Sequence, residues 1–126
     1  MRLEASLGRA LKGTGKTVDF SGDWKNELNS VVHLTQTNAV LSGTYESTVS
    51  GGGSATTGDL VGYVDGDLIS FVVHWRHFQA ITAWVGQLDP NASQDSLVTL
   101  WQMTKQVSAG DEWQSINAGT DTFVRA

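Results

Sequence analysis

The sequence predicts an all-β protein, an eight-stranded antiparallel up-and-down β-barrel, and three observations carry that expectation. Apolar and polar residues alternate by twos through a series of short stretches, as strands with one buried face require. Fourteen Gly and five Trp against a single Pro suit short strands joined by turns. The inner faces of the first stretches also carry hydroxyl and amide groups among their apolar residues, which suits a barrel interior that receives one small ligand.

The first stretch is Gly22 to Ser30, GDWKNELNS. Counting by twos places Trp24, Asn26, Leu28, Ser30, Val32 and Leu34 on the inner face, and Lys25, Glu27, Asn29 and His33 on the outer one. A buried amide or hydroxyl without a partner costs about 1 to 3 kcal/mol, so the protein or a ligand must satisfy Asn26 and Ser30. A break at Glu27 to Asn29, where Asn tolerates the left-handed conformation of a tight turn, divides the stretch into two strands. An up-and-down sheet closes only with an even number of strands, and this break supplies the eighth. It also sets Asn26 and Ser30 beside each other across a hairpin.

In Leu41 to Val49, LSGTYESTV, the inner face is Leu41, Gly43, Tyr45, Ser47 and Val49, again hydroxyl-bearing in its middle. Ser50 to Gly58, SGGGSATTG, reads as a flexible loop, either a lid or a plain connector. Leu60 to Val64 turns through Asp65-Gly66 into Asp67 to Arg76, where Ile69, Phe71, Val73 and Trp75 share a face. Ala80 to Leu88 points Ala80, Thr82, Trp84, Gly86 and Leu88 inward, with Ile81, Ala83 and Val85 outward. Leu97, Thr99, Trp101 and Met103 then alternate with Val98, Leu100 and Gln102. Apolar residues on both faces of these later strands predict an outer wall covered by another subunit. Val107 to Gly119 reads as a loop or one helical turn presenting Trp113, and a last strand, Thr120 to Arg125, points Asp121 and Phe123 to one side.

At 126 residues the chain holds one domain, read as a barrel over residues 19–126 behind a flexible tail over residues 1–18. Leu3, Leu7 and Leu11 are spaced for a one-sided helix, but Gly8, Gly13 and Gly15 argue for a loose segment. It has no apolar core of signal-peptide type. Gly13 to Thr17, GTGKT, imitates the end of a phosphate-binding loop, yet Ala10 stands where that motif needs Gly and no strand precedes it. The absence of Cys excludes disulfides, thiolate metal sites and a cysteine nucleophile. A net charge of −5 without a basic cluster argues against nucleic acid, and no apolar run approaches the ~20 residues that span a membrane. Asn91-Ala92-Ser93 fits a glycosylation sequon but reads as a turn after Pro90.

Enzymatic readings would use Asp121 with Glu46 as a carboxylate pair, or a metal at His33, His74 and His77. Glu46 faces outward, His74 and His77 differ in parity, and no activated nucleophile is present, so the expectation is no catalytic residue and no metal.

From about Phe20 to Arg125 the chain resembles the avidin and streptavidin family of biotin-binding β-barrels. GDWKNELNS is similar to the family's G-x-W-x-N-x-x-G-S opening, with Asn29 in place of the turn glycine; GTYES and GTDTF resemble its second-strand and closing motifs. Trp75, Trp84, Trp101 and Trp113 follow the family's order. The resemblance implies tight, non-catalytic binding of biotin as ligand, with no metal. Asn26, Ser30 and Tyr45 would donate to the ureido oxygen, and Ser47 and Asp121 would accept from the ureido N–H groups. Thr82 would meet the thioether sulfur, and Trp75, Trp84 and Trp101 would box the ring system. Trp113 would reach a neighbouring subunit's site, with Leu28, Ser50, Phe78, Ala80 and Met103 in lesser contact roles.

The resemblance further implies a secreted or periplasmic protein. A homotetramer built as a dimer of dimers is expected, because dimeric members lack the neighbour-reaching Trp and carry a cysteine pair. Ala80 stands where the family has a serine for the biotin carboxylate, and the short Trp75 to Trp84 segment brings His77 or Phe78 over the mouth. Faster biotin release than from streptavidin follows. A lipocalin-like carrier of another small ligand is the alternative, though its cavity would not need Asn26, Ser30, Tyr45, Ser47 and Asp121 together; a carbohydrate-binding module is a further one, since Trp and Asp suit sugars.

Overall fold

Eight strands form a closed barrel in which each pairs antiparallel with the next and the last returns to the first. They are β1 (Gly22–Lys25), β2 (Val31–Thr37), β3 (Val40–Ser47), β4 (Thr56–Asp65), β5 (Leu68–Trp75), β6 (Ala80–Leu88), β7 (Ser96–Lys105) and β8 (Ile116–Arg125). A short helix, α1 (Leu3–Leu7), precedes them, and a 3₁₀ turn spans Glu112–Gln114. This computed structural model describes residues 1–13, 17–48 and 55–126. Most of the GTGKT run, and the part of the expected lid that includes Ser50, lie outside the described residues.

The break between β1 and β2 falls where the sequence places it. Asn29 takes φ +63°, the Asn29 amide donates to the Asn26 carbonyl at 3.1 Å, and the Asn26 amide donates to the Ser30 carbonyl at 3.1 Å. Asn38, at φ +56°, turns β2 into β3 by the same tolerance of left-handed backbone.

Two expected boundaries are corrected. Thr56 to Gly58, assigned by sequence to the loop, belong to β4 and pair with Ser47, Glu46 and Tyr45. Gly58 serves packing there and not flexibility, because a Cβ in its place would lie 2.2 Å from Val73 Cγ1. β8 begins at Ile116, four residues before the expected Thr120, since Thr104, Met103 and Gln102 of β7 need edge partners and take Ile116, Asn117 and Ala118.

Along the barrel axis the interior divides in two. The register carries Leu34, Leu41, Val64, Ile69, Leu97 and Phe123, all buried, to one end, where Phe20 and Trp24 are fully buried and seal it. The Trp24 indole N–H donates to the Phe20 carbonyl at 2.9 Å, so its polar atom is satisfied in that apolar end. The polar half is described below.

Closure is thinnest between β1 and β8, which share only Trp24↔Arg125 and Lys25↔Val124. Arg125 reinforces that seam. Its guanidinium lies 4.4 Å from the Trp24 ring centroid and bonds Asp95 (2.7 Å), the Asp19 carbonyl (2.8 Å) and the Ser21 carbonyl (3.1 Å). Gln36 holds the same segment from β2, accepting from the Phe20 amide and donating to the Val18 carbonyl, each at 2.9 Å. Upstream, Leu3, Leu7 and Leu11 are exposed.

The outer walls of β4 to β7 expose Val61, Tyr63, Val72, Val85, Val98 and Leu100. Over β1 to β3 the outer wall is charged. His33 Nδ1 lies 2.7 Å from Asp23 and its Nε2 3.4 Å from Glu46, and the bond to Asp23 raises the His33 pKa above its ordinary value, with Glu46 adding to it. Among the described residues no helix is long and apolar enough to cross a membrane.

Replacing Arg125 by Met removes the charged bonds and the cation–π contact while keeping an unbranched side chain, and should cost roughly 1 to 3 kcal/mol in urea unfolding. An unchanged midpoint would show that the seam closes without it. For His33 the folded pKa is raised, so its ion pairs contribute fully below the ordinary histidine pKa and fade as pH rises through the folded value. The stability difference between wild type and His33→Gln should therefore shrink from mildly acidic to mildly alkaline pH. Because both partners are half-exposed, added salt should reduce it as well.

Candidate functional site

The polar half of the interior is assembled from the β1–β2 turn and five strands. Asn26 Oδ1 accepts from the Leu28 and Ser30 amides at 3.0 Å each. That leaves its NH₂ aimed into the barrel, 3.2 Å from the Tyr45 hydroxyl and within hydrogen-bond reach of Asp121. Ser30 is buried, contacts the Tyr45 hydroxyl, and accepts from the Thr48 amide at 3.3 Å. Burial, and secondarily the negative charge of Asp121, push the Tyr45 pKa far up, so the phenol remains a proton donor.

Beside the Asn26 amide stands Asp121 on β8. Burial raises its pKa, while the Trp84 indole N–H, donating to Oδ2 at 2.9 Å, opposes the rise. Thr99 is buried and donates to the Asp121 carbonyl at 2.8 Å, which anchors the backbone that carries the carboxylate. Below lies a stack of rings, with Trp84 4.7 Å from Tyr45 and 5.2 Å from Phe71, both at 21°. Trp75 is fixed by its indole N–H donating to Thr82 Oγ1 at 3.0 Å.

Together these side chains line a cavity, open at its mouth, of about 270 Å³, just below the ~300 to 1,000 Å³ range of small-ligand sites. Among the described residues its lining holds amide, hydroxyl and indole donors, one carboxylate and three indoles as walls, and no cation.

Comparison with known proteins decides the family. The sequence model of the Avidin family matches residues 14–126. This chain belongs to the avidin family. It is 34% identical over 109 residues to Afifavidin of Afifella pfennigii, an alignment covering 82% of this chain and 67% of that one. Among solved structures it is similar to xenavidin, with a TM-score of 0.74 and 29% identity over 88% of this chain and 100% of that one. It is also similar to rhizavidin solved as a biotin complex, with a TM-score of 0.74 and 27% identity over 84% and 99% of the two chains.

In this avidin-family barrel, Asn26, Leu28, Ser30, Tyr45, Ser47, Trp75, Thr82, Trp84, Trp101, Met103 and Asp121 line the one interior cavity described above. Leu28 does so from the turn and not from an inner strand face. The turn interrupts the count by twos, and Leu28 is 62% exposed at the rim. Phe78 and Ala80 do not line it. Phe78, in the β5–β6 turn, borders an outer cleft with His77, and Ala80 borders another with His74 and Lys105. Three outer clefts exceed the cavity in volume, at about 320, 480 and 500 Å³, but Asn26, Ser30, Tyr45 and Asp121 line none of them. Trp113 stands on the 3₁₀ turn, 81% exposed and away from this chain's cavity.

The enzymatic arrangements do not assemble. Glu46 bonds His33 on the outer wall, across the sheet from Asp121, and among the described residues no three His, Asp or Glu side chains gather as metal ligands. Three residues with no role assigned from sequence matter here. Thr99 anchors Asp121, and Thr56 faces inward opposite Ser47 with a buried hydroxyl that has no partner among the described residues. Gly119 lets Trp101 lie against the backbone, for a Cβ there would meet the indole at 2.5 Å. By sequence Thr56 falls in the loop, and Gly119 enters only as the first residue of GTDTF, without a packing role.

Gly119→Ala should displace the Trp101 indole, changing the near-UV circular dichroism and lowering stability by about 1 to 3 kcal/mol. An unaltered spectrum with unaltered stability would show that the ring does not rest on Gly119.

Proposed function

We propose that this chain binds biotin, without chemistry, in the polar half of its barrel. The observation that carries the reading is the convergence of Asn26, Ser30, Tyr45 and the Asp121 carboxylate on one cavity walled by Trp75, Trp84 and Trp101. A cyclic urea is the complement of that arrangement, with one strongly accepting oxygen flanked by two N–H donors on a flat ring. Asn26, Ser30 and Tyr45 donate to the oxygen, and Asp121 and Ser47 accept from the nitrogens. The charged Asp121 makes the stronger kind of bond and polarises the urea toward the donors. Thr82, whose oxygen accepts from Trp75, keeps its own proton to offer the thioether sulfur.

Membership of the avidin family and the structural likeness to rhizavidin solved with biotin support the same ligand. Preorganisation supports tight binding. Asn26 is held by two backbone amides, Trp75 by Thr82 and Trp84 by Asp121, so little ordering cost remains. With Ala80 in place of a carboxylate-binding serine, a charged bond worth about 1.5 to 3 kcal/mol is missing, and release from this chain should be about 10- to 150-fold faster than from streptavidin.

The exposed apolar walls of β4 to β7 and the projecting Trp113 suit a homotetramer in which Trp113 completes a neighbour's site. The ligand-binding unit is residues 19–126, to which Val18 is tied through Gln36 and Gly66, and a secreted or periplasmic setting follows from the family alone.

Titration with biotin should quench or shift the indole fluorescence to an endpoint of one ligand per chain. Asn26→Ala and Asp121→Ala should each weaken binding by about 1 to 3 kcal/mol, roughly 5- to 150-fold. A flat titration sinks the biotin reading. Light scattering at four chain masses supports the tetramer, and a monomer with undiminished binding removes it.

A further inference from the structure

We propose that Glu27 is a positioning residue for the acceptor end of the cavity, clamping the peptide that carries Asp121 and setting the electrostatic field around its carboxylate. The inference deepens the biotin reading, on which only the identity of the ligand rests.

The register shows why a side chain is needed at this place. β1 and β8 pair as Trp24↔Arg125 and Lys25↔Val124, so an uninterrupted ladder would set residue 27 opposite Thr122. The chain instead leaves the sheet after Lys25 to make the turn through Asn29. The Thr122 amide would then lack a strand partner. Glu27 supplies one from its side chain, its Oε1 accepting from the Thr122 N–H across 95 residues of sequence.

That N–H and the Asp121 carbonyl belong to the same peptide group, and Thr99 Oγ1 donates to the carbonyl at 2.8 Å. The peptide plane is therefore gripped from both sides, by the turn and by β7. Its rotation would swing the Asp121 carboxylate away from Trp84 and from the cavity.

Glu27 also brings a negative charge. The groups facing Asp121 are Glu27 from the turn, Tyr45 from β3, and the neutral donors Trp84 and Asn26; none is a cation. Like charge from Glu27 adds to burial in raising the Asp121 pKa. The same negative field favours a ligand that offers N–H groups. The acid limit of binding is thus set jointly by Asp121 and by a residue outside the cavity lining.

The test uses the full chain as wild type, Glu27→Gln, Glu27→Ala and Glu46→Gln. Glutamine keeps an oxygen for Thr122 and removes the charge. In Glu27→Gln the Asp121 carboxyl, followed by carbon NMR in ligand-free protein, should titrate at lower pH than in wild type. Biotin binding should persist to correspondingly lower pH. Glu27→Ala should in addition release biotin faster at neutral pH, because the peptide clamp is gone. Glu46→Gln, which removes a charge from the outer wall, should leave the Asp121 titration in place. An Asp121 titration identical in wild type and Glu27→Gln overturns the proposal. If wild type binds no biotin, the ligand assignment fails while the NMR titration still decides the role of Glu27.

Discussion

Polar atoms taken out of water inside a closed barrel must find partners, and that constraint shapes one whole end of this molecule. Asn26, Tyr45 and Asp121 sit where an ordinary barrel would place aliphatic side chains. Each is committed in part to the protein, through Asn26 to the turn amides, Tyr45 to Asn26 and Ser30, and Asp121 to Trp84. These bonds fix orientation, so the remaining donors and acceptors converge on one small volume. A rigid polar cluster of this kind gives ligand specificity at the expense of stability, because the carboxylate is held in surroundings that disfavour its charge.

Stability is supplied at the opposite end. Phe20, Trp24, Leu41, Leu97 and Phe123 are fully buried there, and the apolar plug lets the polar end stay open to a ligand. The two ends are not independent. β1 is short and its seam with β8 is thin, so the Arg125 contacts below and the Glu27 contact above both compensate for missing ladder bonds along the same line. Glu27, which bridges that seam, therefore also holds the peptide of the carboxylate that faces the cavity.

Much of this was legible locally. The period of two gave the inner faces of β5, β6 and β7, since strand geometry forces alternate residues to opposite sides whatever surrounds them. Asn29 marked the first hairpin by its tolerance of positive φ, as the observed +63° bears out. Where alternation met a turn or a glycine the reading slipped. Leu28 left the inner face because the turn reset the count, and Gly58 was read as flexible although it fills a close approach to Val73.

Sequence alone determined which side chains of β5, β6 and β7 face inward, that polar ones recur on the inner faces, and that the strand number is even, because these follow from backbone stereochemistry and short-range pattern. Only the tertiary structure decided which of them meet. Asn26 and Asp121 come together through barrel closure, Gly119 yields its space to Trp101, and Glu27, counted outward, reaches the Thr122 amide. Those contacts join residues far apart in the chain, and their geometry depends on shear and register, which no local window of residues contains.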